Sequence, residues 1–159
     1  MRVERLAKSL GVSKGSFYWH FDDRAALLAA VVNAWEQRST LTVIEDVERD
    51  AAEPGAKLWA LFEQVFGTPT SLDAFEAAVR SWAGHDEAVK KVVRRVDKRR
   101  LRFVAELLVE AGLPKQESMR RSELLYCTLI GEFVRRTYGG SKLDRAALRS
   151  LHDMLLRDT

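Results

Sequence analysis

Only one cysteine, Cys127, occurs in the 159 residues, so no disulfide can form within the chain, and a reducing, cytosolic setting is the expectation. The three prolines all fall at apparent element boundaries. No sustained two-residue alternation of apolar and polar positions exists, which leaves no sign of a sheet. The longest uninterrupted apolar run, Ala25 to Val32, is far too short to cross a bilayer, and the charged opening MRVERLAKSL is unlike a secretory signal, so no membrane partner is expected. His20, His85 and His152 are scattered. There is no HExxH, no cysteine pair, no nucleophile elbow and no phosphate-cradling glycine loop. Nothing therefore calls for a metal, a cofactor or catalysis, and the expectation is a protein that is not an enzyme.

What the chain has is helix-forming sequence. Apolar residues make up 47% and charged residues 31%, the balance of a folded chain rather than a disordered one. The net charge of +3 leans weakly toward nucleic acid. Periodicity and punctuation predict eight helices: Val3 to Leu10, Ser13 to Phe21, Asp22 to Ala52, Ala56 to Phe66, Thr70 or Ser71 to Ala83, Asp86 to Ala111, Lys115 to Tyr138, and Ser141 or Asp144 to about Arg157. Gly11, Pro54-Gly55, Gly84, Gly112 and Gly139-Gly140 supply the breaks. The fold class is all-α.

The stretch GVSKGSFYWHF (residues 11–21) is unusually aromatic. On a wheel of ~100° per residue, Phe17 and Phe21 share one face, and Gly15, Ser16 and Trp19 lie opposite with Tyr18 and His20 on the flanks. Tyr, Trp and His exposed beside Lys14 and Ser16 suit phosphate and base-edge contacts, and Gly15 permits close approach. A short helix, a glycine turn and this second helix form a helix-turn-helix pattern. Spacing alone equally allows an amphipathic helix whose rings pack inside.

The segment GVSKGSFYWHFDDRAALLAAV resembles the N-terminal DNA-binding segment of the tetracycline-repressor (TetR) family of bacterial transcriptional regulators. The resemblance rests on Gly11-Val12-Ser13, Lys14-Gly15-Ser16, the Tyr18-Trp19-His20-Phe21 run, and Arg24 followed by Leu27-Leu28. It implies that Ser13, Lys14, Gly15, Ser16, Tyr18 and Trp19 contact bases and phosphates, that His20 and Arg24 hold phosphates, and that Phe17 and Phe21 are core. It further implies a DNA-binding module over residues 1–24 and an effector-binding and dimerisation domain over 25–159. Family members carry another helix ahead of the equivalent of Val3. Either the natural protein starts upstream of Met1, which is the favoured expectation, or the chain lacks that helix and is a dimeric small-molecule-binding protein silent toward DNA.

The aromatics Trp35, Trp59, Phe62, Phe66, Phe75, Trp82, Phe103 and Tyr126 are candidates for an apolar cavity, and each is alternatively plain core. The resemblance implies that a small, apolar or amphipathic effector binds there and shifts the DNA-reading modules. Residues 123–136 are apolar on two faces (Leu124, Leu125, Thr128, Ile130, Gly131, Val134), which calls for two partners. With Leu148, Leu151, Leu155 and Leu156 they suggest a four-helix homodimer interface, centred on Leu125, Thr128, Gly131, Leu148, Leu151 and Leu155. Lys90 to Arg102 holds eight Lys/Arg and one Asp, which suits a second nucleic-acid contact, but its valines mark a buried stripe, so the favoured reading is a solvated face for which the acidic run Glu45 to Glu53 is a candidate counterpart. By resemblance the function is a ligand-responsive regulator, most often a repressor, that binds a palindromic operator in double-stranded DNA as a homodimer.

Overall fold

The computed structural model describes residues 11, 13–50, 53–67 and 71–157, and the side chains of Lys14, Phe17 and Ser71 lie outside that description. The predicted helix Val3 to Leu10 also lies outside it. Every regular element among the described residues is helical: α1 (Lys14–His20), α2 (Arg24–Glu36), a π-helical segment (Gln37–Leu41), α3 (Thr42–Asp50), α4 (Pro54–Phe66), α5 (Ser71–Ala83), α6 (Glu87–Glu110), α7 (Lys115–Thr137) and α8 (Arg145–Leu156). The all-α expectation holds.

The ends follow local chemistry. Gly11 has φ +67°, the left-handed geometry expected of it. Ser13 Oγ accepts from Ser16 N–H at 3.0 Å and caps α1. Asp23, rather than the expected Asp22, caps α2 by accepting from Ala26 N–H at 2.7 Å. Pro54 occupies the first turn of α4, where its missing N–H is harmless, so that helix starts before Ala56. Asp86 accepts from Ala88 and Val89 at the start of α6, and Asp144, not Ser141, accepts from Ala147 at the start of α8.

The predicted helix from Asp22 to Ala52 is interrupted. Trp35 and Thr40 are five residues apart and both fully buried. An α-helix would set them ~140° apart. The π segment bonds i to i+5 and brings them to one side. Ser39 Oγ also donates to Trp35 O at 2.6 Å across this turn. The break thus coincides with the joint burial of Trp35 and Thr40, and single-residue propensities carry no trace of it.

The chain forms two compact units, residues 1–34 and 35–159, divided within α2; the boundary expected after residue 24 lies earlier in that helix. The core of the second unit combines Val47 of α3, Leu58, Leu61, Phe62 and Phe66 of α4, Phe103, Leu107 and Leu108 of α6, Leu125 and Leu129 of α7, and Leu148 and Leu155 of α8. The Arg121 guanidinium secures the far end of α8 to α7. Its Nη1 donates to the carbonyls of Leu155 at 2.8 Å and Arg157 at 2.7 Å, which the helix itself leaves unpaired.

Candidate nucleic-acid interface and cavity

In the first unit, α1 presents an exposed aromatic surface. Trp19 is 84% exposed and Tyr18 49%, His20 is also exposed, and Phe21 is half-buried. The expected outward placement of Trp19, Tyr18 and His20 is what the helix shows. Trp19 and His20 stand edge to face with centroids 5.2 Å apart, a contact that orients both rings without covering them. A Cβ built on Gly15 would meet only Ser13 Oγ at 3.7 Å, so nothing within the described residues requires a glycine there. Ser13, Gly15 and Ser16 are exposed, as is Arg24 at the start of α2, where a helix N-terminus favours anions. Lys14 contributes backbone to α1, its side chain being outside the described set, as is that of Phe17.

In the second unit, α3, α4, α5, α6, α7 and the π segment line a partly open cavity of about 110 Å³. Phe62, Phe66, Phe103 and Tyr126 line it, together with Leu61, Val65, Leu129 and Phe133. Four of the aromatics expected there do not. Trp59 lies two turns before Phe66 and packs instead on His152 of α8, edge to face at 5.6 Å, with the Arg149 guanidinium 3.7 Å above its ring. Phe75 and Trp82 lie ~60–180° around α5 from the cavity-lining Leu72, Asp73 and Glu76. Trp82 Nε1 donates to Asp86 Oδ2 at 3.2 Å. Trp35 is buried outside the lining.

Sequence reasoning missed the polar wall of this cavity. Glu76 is buried and receives Trp35 Nε1 at 2.7 Å, Arg80 Nε at 2.8 Å and both terminal nitrogens of Arg100, at 2.9 and 3.1 Å. Arg100 also donates to Thr40 Oγ1 at 2.9 Å and Ser39 Oγ at 2.9 Å, pinning the π segment. Asp97 accepts from Arg80 at 2.8 Å and from Tyr126 Oη at 2.5 Å. Burial alone would push the Glu76 carboxyl up, but the charges of Arg100 and Arg80 and the bonds from Arg100 and Trp35 outweigh it and hold the group below its ordinary value. Burial and the carboxylate of Asp97 push the Tyr126 phenol up to about 12, against the opposing charges of Arg100 and Arg80. The one signal in the sequence was Asp97, the lone acid in the basic run.

That run is otherwise a solvated face, as expected: Lys91, Arg94, Lys98 and Arg102 are exposed, and Arg100, with 12% of its side chain exposed, is the exception. Its expected acidic counterpart is engaged elsewhere. Asp46 and Asp50 pair with Arg49 at 2.6 and 3.1 Å, and Glu48 pairs with Lys57 at 2.7 Å, while Arg95 pairs with Glu36 at 2.5 Å.

The residues expected at a dimer interface divide between two faces. Leu125, Leu148 and Leu155 are buried in the chain's own core, and Leu151 packs against it. Thr128 and Gly131 lie instead on the outer side of α7, Gly131 with no atom within 4 Å of an added Cβ. The same side exposes Leu124, Cys127, Val134 and Tyr138, and α8 exposes Met154. The period of 3.6 places 125 and 129 inward and 124, 128, 131 and 138 outward, so Leu124, not Leu125, belongs to the outer stripe.

The described residues thus comprise a short, exposed aromatic helix and a larger all-helical unit that contains a cavity. Residues 1–31 match the family model of bacterial regulatory proteins, tetR family. The fold is similar to the crystal structure of a TetR transcriptional regulator from Legionella pneumophila, with a TM-score of 0.71 at 14% identity, covering 98% of this chain and 84% of that one. No curated protein sequence matches the chain. No helix among the described residues is long and apolar enough to cross a membrane.

Proposed function

We propose that the chain is a cytoplasmic, effector-responsive repressor of transcription that binds a palindromic operator as a homodimer. The observation that carries this reading is the coincidence of the family match over residues 1–31 with the helix that exposes Trp19, Tyr18 and His20. A large aromatic surface left in water on a DNA-binding segment is best explained by a partner that covers it. Ser13, Lys14, Gly15, Ser16, Tyr18, Trp19, His20 and Arg24 form the DNA-reading set, with base-edge and phosphate contacts divided among them. The first 24 residues are only modestly basic, so two copies are needed to collect enough phosphate contacts.

The second copy docks on the outer stripe of α7 (Leu124, Thr128, Gly131, Val134, Tyr138) with Met154 of α8. An apolar stripe of this spacing suits a two-fold helical interface, and Gly131 lets the facing helices approach closely. The cavity between α4, α5, α6 and α7 takes a small effector, whose leverage equals its differential affinity for the two states of the dimer.

Fluorescence anisotropy of the chain against the DNA upstream of its own gene, at two salt concentrations and beside an unrelated duplex, tests the reading. Preference for the upstream DNA that survives the higher salt supports it. Equal, salt-labile binding to both duplexes overturns specific recognition of that DNA, and absence of binding with a dimer still present favours a DNA-silent ligand-binding protein.

A further inference from the structure

The cavity is unevenly supplied with hydrogen-bond partners. At its Glu76 end the polar groups are already occupied: Glu76 accepts four bonds, and Arg100 divides its donors among Glu76, Thr40 and Ser39. Two carboxylates (Glu76, Asp97) face two guanidiniums (Arg80, Arg100), so the charge there is balanced. A ligand group placed at this end would have to break an existing bond to make its own.

The wall formed by Asp73 differs. Asp73 lines the cavity, yet its Oδ2 is sealed from water with no hydrogen-bond partner. Its neighbour Arg136 approaches only Oδ1, at 3.5 Å, too far for a good hydrogen bond. Arg136 directs its remaining terminal nitrogen at Gly67 O at 3.3 Å, and its own Nε is also buried without a partner. A carboxylate and a guanidinium this close ordinarily close as a two-bond fork. Here one acceptor and one donor are left over. Rotation of the carboxylate about Cβ–Cγ is soft, so Oδ2 can turn to a ligand at little cost.

We propose that the cavity selects an uncharged molecule of about one-ring size bearing a single hydroxyl, recognised by donation of the hydroxyl proton to Asp73. This rests on the effector reading of the same cavity. Size follows from volume: 110 Å³ is somewhat below the ~150 Å³ of an apolar cavity known to hold benzene, so a body of about one ring matches the space inside. The apolar body faces Leu61, Phe62, Phe103, Leu129 and Phe133. An ionised ligand would add an uncompensated charge to a wall already neutral, which burial penalises heavily.

The test uses the full chain with phenol and toluene, which have nearly the same shape and differ in the hydroxyl, titrated by calorimetry. Phenol binding at least ~10-fold more tightly than toluene is the expected result, the scale of one bond to a buried charged acceptor. Asp73→Ala then brings the two affinities together, chiefly by weakening phenol. Asp73→Asn keeps the shape should the alanine variant fail to fold, and lowers the preference because a neutral amide oxygen is a weaker acceptor. Equal binding of the two probes to the unaltered chain overturns hydroxyl selection and leaves the cavity as a ligand site. A preference unchanged in either folded variant overturns the part of Asp73. If neither probe binds up to its solubility limit, both this inference and the effector reading of the cavity fall.

Discussion

Trp35 Nε1 donates a 2.7 Å hydrogen bond to Glu76 Oε2, joining residues 41 positions apart in the chain. The bond does more than satisfy a buried indole. It ties the end of α2 to α5 at the carboxylate that Arg80 and Arg100 also grip, and Arg100 extends the grip to Ser39 and Thr40 of the π segment. The register of the helical run from 35 to 42 is therefore held from outside that run.

Glu76→Gln is expected to lower stability by about 3 kcal/mol, because it leaves the largely buried Arg100 guanidinium without its carboxylate and Arg80 with Asp97 alone. Chemical denaturation followed by circular dichroism measures it. A loss below about 0.5 kcal/mol would mean that the network closes around water instead.

The same carboxyl predicts an acid limb. Glu76 titrates below its ordinary 4.5 in the folded chain, so the folded state binds that proton more weakly than the unfolded state does. Its contribution is complete above about 4.5 and is lost as pH falls through the lower folded value. Denaturation midpoints measured from pH 6 down to pH 3 should fall for the natural sequence, and the Glu76→Gln chain should show a shallower fall over that range. Parallel curves would sink the assignment.

Trp19→Ala removes an 84% exposed side chain. Its expected effect on thermal stability is within about 0.5 kcal/mol, as for other exposed substitutions. Its expected effect on binding to the operator is a loss of about 1–3 kcal/mol, the range of one base-reading contact. Comparable loss of both properties would place Trp19 in a packing role.

Leu124→Glu with Val134→Glu puts charge on the outer stripe of α7, where both residues are exposed. Light scattering coupled to size exclusion should show a shift from dimer to monomer, with helicity and melting of the protomer preserved. A variant that remains dimeric would move the interface to another face.

Helix α1 was legible because its evidence is local. Ser13, Gly15, Trp19 and Phe21 lie within nine residues, and a capping hydroxyl, a glycine turn and a helical period act over that span. The helix ends were legible for the same reason, since Asp86, Asp144, Gly112 and Pro54 exert their effect on their own neighbours. The cavity was half legible. Aromatic content pointed to Phe62, Phe66, Phe103 and Tyr126, but Trp59, Phe75 and Trp82 carry the same hydrophobicity and differ only in the direction they face.

Composition and periodicity by themselves determined that the chain is all-α, where most of its helices begin and end, and that residues 13–24 carry a helix-turn-helix pattern, because each of these follows from contacts a few residues apart. Tertiary structure alone decided the rest: the π segment at Gln37–Leu41, the burial of Arg100 within a run of exposed cations, the inward turn of Leu125 beside an outward Leu124, and the unpartnered oxygen of Asp73. Each of these depends on what a distant helix brings to the same place, and one chain position cannot specify its neighbour in space until the core has packed.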